Sequence, residues 1–190
     1  MHPEIPASIF SEFPALRTAR LTLRPIQEAD ASQILALRSN GRVSAFIARP
    51  PMPGLAEAQQ LVERVQQAYA QKQAISWAGE LRDGGTLIGA CGFNSIDHPN
   101  RHAEIGGELG TEYWGKGIAQ EAFQAILQFG LGPMCLHSIE AKVSPANRSA
   151  IHLLEAYGFV KEAHFRDRVY FEGQYSDMAV YTLHAGAQTW

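Results

Sequence analysis

Glu112-Tyr113-Trp114-Gly115-Lys116-Gly117-Ile118-Ala119 sets two glycines one residue apart, between a strand-like run at 103–109 and a helix-like run at 118–129. A Gly-x-Gly at the mouth of a helix lets backbone N–H groups face an anion with no Cβ in the way. The stretch therefore points to a phosphorylated ligand. Three phosphate frames compete for it. A nucleotide P-loop needs G-x-x-x-x-G-K-[ST], and Gly115-Lys116-Gly117 has no such frame. A dinucleotide fingerprint needs Gly or Ala three residues after the second glycine; Gln120 stands there, and the unit follows antiparallel strands. The third frame is the pyrophosphate of coenzyme A.

Working outward, the hydrophobic period changes along the chain. Residues 1–16 carry Pro3, Pro6 and Pro14 and read as a loose N-terminal arm. Arg20-Leu21-Thr22-Leu23-Arg24-Pro25 alternates and stops at a proline, as a strand does. Asp30 caps a helix with Ile34, Leu35 and Leu37 facing inward, and Leu55, Ala58, Val62, Val65 and Tyr69 predict a second helix. The period then falls to two. Strands at 75–81 and 86–94 flank the turn Asp83-Gly84-Gly85, and a third strand covers 103–109. After the glycine helix come a strand at 137–143, a helix at 148–157 stopped by Gly158, and two strands around Glu172-Gly173. This order predicts a mixed α/β layer rather than a regular βαβ alternation.

Bulk properties narrow the function. A chain of 190 residues suits one domain. Its net charge of −3, without a run of Lys or Arg, argues against nucleic acid as a partner. No apolar run approaches the roughly 18 residues that span a bilayer, and no leader pattern opens the chain. Cys91 and Cys135 form no CxxC pair, and the seven histidines show no H-E-x-x-H. The expectation is a cytoplasmic protein with neither metal nor membrane partner.

The glycine stretch resembles motif A of the GNAT superfamily of N-acetyltransferases, in which Q/R-x-x-G-x-G/A opens a helix onto CoA pyrophosphate. Glu112 stands where Q/R is usual, but the run 113–119 looks like the RimJ/RimL-like branch, whose members acetylate ribosomal-protein N-termini. Asn147, with Leu153-Leu154-Glu155-Ala156-Tyr157-Gly158-Phe159, resembles the family's N-x-x-S…E-K-x-G-F helix. Thr18-Ala19-Arg20-Leu21-Thr22-Leu23-Arg24-Pro25 and Gly173-Gln174-Tyr175-Ser176-Asp177 also look like this branch. Four motifs in the right order are specific, and the resemblance covers residues 17–184. It implies one GNAT-like domain there, with a C-terminal tail at 185–190. The fold implied is a mostly antiparallel mixed sheet of six to seven strands, splayed at the middle and flanked by about four helices.

The resemblance also implies a reaction: direct attack of a primary amine on the thioester of acetyl-CoA. Leu109, Tyr113, Trp114, Gly115, Lys116, Gly117, Ile118, Ala119, Asn147 and Ser149 form the implied cofactor-binding set. Gly106-Gly107 inside a strand suggests a bulge or close backbone approach, with unpaired N–H groups around 107–109 for the thioester carbonyl. Glu104 and Glu108, four apart, share one face of an unbroken strand, and a single-residue bulge would reverse that parity. Glu104 matches a strand glutamate that acts on the amine in many relatives, with Glu108 as the second catalytic candidate. The plainer readings of Glu104 are a solvated carboxylate or an ion pair with Arg101. Two positions depart from the family: Ala150 replaces its Ser, and Leu154 stands where many relatives place a tyrosine acid, leaving Tyr157 and Tyr175 as fallbacks. A peptide α-amine, with pKa of about 7.7–8.0 against about 10.4 for lysine, suits such modest equipment. The acceptor implied is a protein or peptide N-terminus, or else a small-molecule amine. A homodimer is ordinary for the family. The alternative reading is a catalytically silent acyl-CoA-binding sensor domain.

Overall fold

The computed structural model describes residues 4–186. Its elements are β1 (Leu16–Arg17), β2 (Leu21–Pro25), α1 (Ala31–Ser39), α2 (Leu55–Ala70), β3 (Ile75–Leu81), β4 (Leu87–Asp97), β5 (His102–Leu109), α3 (Ile118–Leu131), β6 (Ser138–Val143), α4 (Arg148–Ala156), β7 (Val160–Phe171) and β8 (Gln174–His184). The strands form one mixed sheet in the order β1-β2-β3-β4-β5-β6-β8-β7. The expected mixed α/β fold with four helices is present, with one strand more than the pattern shows. The additional strand is β1, whose two residues are too few to display a period.

Helices α1 and α2 cover one face of the sheet through Ile34, Leu37, Ala58 and Val62, which pack with Ala78 and Leu87. On the other face α3 contributes Phe123, Ile126, Leu127 and Phe129 to a larger core with Trp77, Phe93, Ile105, Ile139 and Leu183. Neighbouring strand residues such as Trp77 and Ala78 therefore serve opposite cores, as the pleat requires. Trp77 is fully buried and meets Phe93 and Phe129 edge-on at centroid distances of 6.1 and 5.6 Å.

Residues 1–3 of the N-terminal arm and 187–190 of the C-terminal tail lie outside the described residues, but residues 4–16 pack against the domain. Ile5 is buried, Phe13 stacks 4.9 Å from Tyr69, and Trp77 Nε1 donates to the Pro14 carbonyl at 2.7 Å. The prolines do exclude long regular elements here. Side chains, with a short 3-10 turn at Ala7–Phe10, dock the segment instead.

Every strand pairing is antiparallel except β5 with β6. That parallel ladder is short: His102 pairs with Ser138, Ala103 with Ile139, and Glu104 with Glu140. Beyond Glu104 the two strands part, leaving 105–109 with β4 as its partner strand. The carboxyl ends of β5 and β6 lead into α3 and α4, so both helix N-termini lie at the mouth of the parted strands. Open α/β sheets bind ligands in that position.

Candidate active site

The glycine stretch is the lip of this opening. Gly115 and Gly117 take φ of 71° and 73°, a left-handed backbone that side-chain-bearing residues adopt only under strain. Gly117 is the N-cap of α3 and no side chain caps that helix. Its first internal bond runs from Glu121 N to Gly117 O at 3.2 Å. The N–H groups of the first turn thus remain open to an anion, reinforced by the helix dipole. Trp114, 43% exposed, donates from Nε1 to the Leu109 carbonyl at 2.8 Å and closes the end of β5. Lys116 Nζ lies 5.9 Å from the centre of the Tyr113 ring, so the ammonium sits over the loop.

Sequence reasoning missed what holds this loop in place. Arg20 Nη1 donates to the Lys116 carbonyl at 2.8 Å and its Nε to Glu121 Oε2 at 2.6 Å. Arg20 N donates to Glu121 Oε1 at 2.7 Å, and Thr18 Oγ1 donates to the same oxygen. Burial alone would raise the Glu121 carboxyl. The bonds from Thr18 and Arg20 outweigh it and hold the group below its ordinary range. Thr18 and Arg20 were visible as a motif, but their partner lies about a hundred residues away in sequence and no local pattern signals it.

At the second helix start, Asn147 Oδ1 accepts from Ala150 N at 3.1 Å, the usual N-cap geometry. Ser149 beside it is exposed. Tyr157 Oη donates to the Gln120 carbonyl at 3.0 Å, tying the end of α4 to the first turn of α3. Burial raises its hydroxyl pKa. Leu154 is buried in the core, and Tyr175 is 64% exposed beside Tyr170 on the β7–β8 hairpin.

β5 carries no extra residue. The bulge lies opposite it, on β4, where the register slips at Asn94. Glu104, Gly106 and Glu108 consequently stay on one face, the α1 side, while Ala103 and Ile105 face α3. Gly106 has no side chain because the Asn94 carboxamide occupies the space: a Cβ there would lie 2.5 Å from Asn94 Nδ2. Asn94 thus lies between the two glutamates, a placement that the strand pattern did not reveal. Glu104 sits at the last paired position before the strands part. Its partner is Lys142 of β6, at 2.7 Å, rather than Arg101, which donates to the Cys135 carbonyl. The hydrogen bond to Glu104 raises the Lys142 pKa against the opposing effect of burial, and Glu140 at 3.4 Å adds to it.

Glu108 is bound differently. Its side chain is 6% exposed; Oε1 accepts from Arg38 Nε at 2.6 Å, and Oε2 from Arg49 Nη2. Both oxygens are engaged by guanidinium groups. Cys91 packs behind Gly107, and burial pushes its thiol up to about 12, far from nucleophilic use. Among the described residues no group of three His, Cys, Asp or Glu side chains is placed to hold a metal. No described helix is long and apolar enough to cross a membrane.

A family model for the acetyltransferase (GNAT) domain matches residues 20–160. The chain belongs to the GNAT family. Within that family it is 34% identical to the uncharacterised N-acetyltransferase p20 of Bacillus licheniformis, over 88% of this chain and 94% of the relative. It is 26% identical to spermidine N(1)-acetyltransferase of Vibrio cholerae, over 84% and 90%. It is 25% identical to the [ribosomal protein uS5]-alanine N-acetyltransferase of Escherichia coli, over 88% and 89%. RimL, the ribosomal L7/L12 α-N-protein acetyltransferase solved with coenzyme A, superposes with a TM-score of 0.84 at 18% identity. That match covers 92% of this chain and all of RimL. The GNAT fold and the RimJ/RimL-like resemblance both stand, and the chain is an N-acetyltransferase by its kin.

Proposed function

We propose that this GNAT protein moves an acetyl group from acetyl-CoA to a primary amine. The observation that carries the reading is the uncapped glycine start of α3, set at the parted carboxyl ends of two parallel strands. When bound, acetyl-CoA supplies a reactive thioester whose thiol leaves readily as thiolate, its pKa being about 8.5. The open N–H groups of residues 117–119 take the pyrophosphate, and Lys116 adds a positive charge beside it. Asn147, with Oδ1 committed to its cap, turns Nδ2 toward the pantetheine arm. The β5 backbone beyond Glu104 directs N–H groups at the carbonyl oxygen where negative charge develops. Glu104 accepts the proton released as the amine nitrogen bonds to the acyl carbon and the carbon–sulfur bond breaks. It acts directly or through water on the face that Asn94 and Glu108 share. Glu108 orients arginines instead.

The acceptor in this reading is an α-amine, which is neutral far more often at pH 7 than a lysine side chain. One observation favours the silent binder: Leu154 is core, so no tyrosine acid stands at that place. An amine panel with acetyl-CoA, read by mass gain, tests the choice. The expected product is N-terminally acetylated peptide, and Glu104→Gln should lower kcat about a hundredfold while acetyl-CoA affinity holds. Stabilisation by acetyl-CoA with no acetylated amine in either form would establish the silent binder.

A further inference from the structure

The end of β5 is ringed by guanidinium groups. Arg38 of α1 and Arg49 of the following loop both hold Glu108. Arg42, exposed between them in sequence, lies 5.4 Å from the centre of the Trp114 ring, and that indole is fastened to Leu109 next to Glu108. The segment 31–56 that supplies the three arginines has no Asp, Glu or Lys. Glu108 is already bound through both oxygens, and among the described residues no ion pair is formed by Arg42, whose guanidinium lies against Trp114. Arg49 Nε is buried and has no hydrogen-bond partner among the described residues. A buried guanidinium donor without a partner is costly, and a carboxylate is the acceptor whose shape fits its planar fork.

We infer that this arginine cluster selects acceptors with a carboxylate a few residues from the reactive amine, and disfavours polyamines. The inference rests on the acetyl-transfer reading above. Glu104 and Glu108 are four residue steps apart, about 13 Å along the strand at ~3.3 Å per residue. An amine beside Glu104 in an extended peptide thus brings roughly the third to fifth residue to the arginines. The acceptor chemistry is an acidic N-terminal peptide. A free amino acid carries its carboxylate too close to the amine to span this gap, and a polycation meets like charge at close range, which costs affinity and slows encounter.

The test compares four probes on the full chain with saturating acetyl-CoA: a peptide with Asp at positions three to five, its Asn isostere, free aspartate, and spermidine. The Asp peptide is expected to exceed the Asn peptide in kcat/KM by at least about tenfold, with the other two below both. Arg42→Gln should reduce that preference to about threefold or less while acetyl-CoA affinity stays constant. The paired change Arg49→Gln with Glu108→Gln should do the same without leaving the Glu108 carboxylate short of a partner, Arg38 then facing a neutral amide; a protein merely weakened structurally would lose rate on both peptides equally. Equal rates on Asp and Asn peptides, or faster acetylation of spermidine or free aspartate, overturn the inference and leave acetyl transfer intact. Binding of acetyl-CoA with no amine acetylated overturns both.

Discussion

Glu104 and Gly117 are the residues on which the proposed chemistry turns, and each is constrained by a different force. Glu104 is fixed electrostatically: Lys142 holds it at 2.7 Å at the last rung before the strands part. In the proposed reaction an incoming amine would compete with Lys142 for that carboxylate. Gly117 is fixed by backbone conformation. At φ 73° an alanine is strained by about 1–2 kcal/mol, and its Cβ would lie 3.4 Å from Arg20 Nη2. Gly117→Ala should therefore lower the melting temperature by several degrees and weaken acetyl-CoA binding measured by calorimetry. Unchanged affinity would show that the loop does not hold the pyrophosphate. The glycines were legible in sequence because a left-handed backbone restricts residue type directly. The partners of Glu104 were not, since an ion pair across strands leaves no local mark; Arg101, three residues earlier, proved to donate to the Cys135 carbonyl.

At the scale of elements, the start of α3 is held from outside. Helix propensity does not position an uncapped N-terminus. The Thr18–Arg20–Glu121 set does so by bonding strand-side backbone to the first turn and to the Lys116 carbonyl. Glu121→Gln keeps the side-chain shape but weakens the charge-assisted bonds, each worth about 1.5–3 kcal/mol where charge is involved. The expected result is a severalfold rise in KM for acetyl-CoA with kcat little changed, from steady-state kinetics at saturating amine. A fall in kcat with constant KM would instead place the clamp in the chemical step. The helices themselves were readable from their 3.6-residue period, and α4 from its Asn147 cap and Gly158 stop. The bulge at Asn94 was not, because the glycine pair that suggests it lies on the opposite strand.

At the scale of the whole molecule, a half-buried ion network joins the layers. Arg24 of β2 donates from Nη1 and Nη2 to both oxygens of Asp30, each at 2.8 Å, and from Nε to Glu80 of β3 at 2.6 Å. Burial alone would raise the Asp30 carboxyl. The Arg24 bonds and the Gln27 N–H prevail and hold it below its ordinary range. A carboxyl with a depressed folded pKa adds stability that is complete above its unfolded value, about 3.9, and is lost as pH falls through the folded value. Thermal melts of the wild type should therefore drop steeply below about pH 4. Asp30→Asn should lose about 3 kcal/mol at neutral pH and show a shallower acid limb. An unchanged acid limb would mean that other carboxylates govern acid unfolding. The sequence by itself determined the element types, the mixed α/β class and the left-handed glycine turn before α3, because periodicity, caps and left-handed turns act over a few neighbouring residues. Only the tertiary structure decided that β5 and β6 part after Glu104, that Asn94 fills the place of a Gly106 side chain, and that Arg38 and Arg49 meet on Glu108. Those outcomes depend on strand register and on contacts between segments far apart in the chain, where packing and charge pairing act only once the sheet has formed.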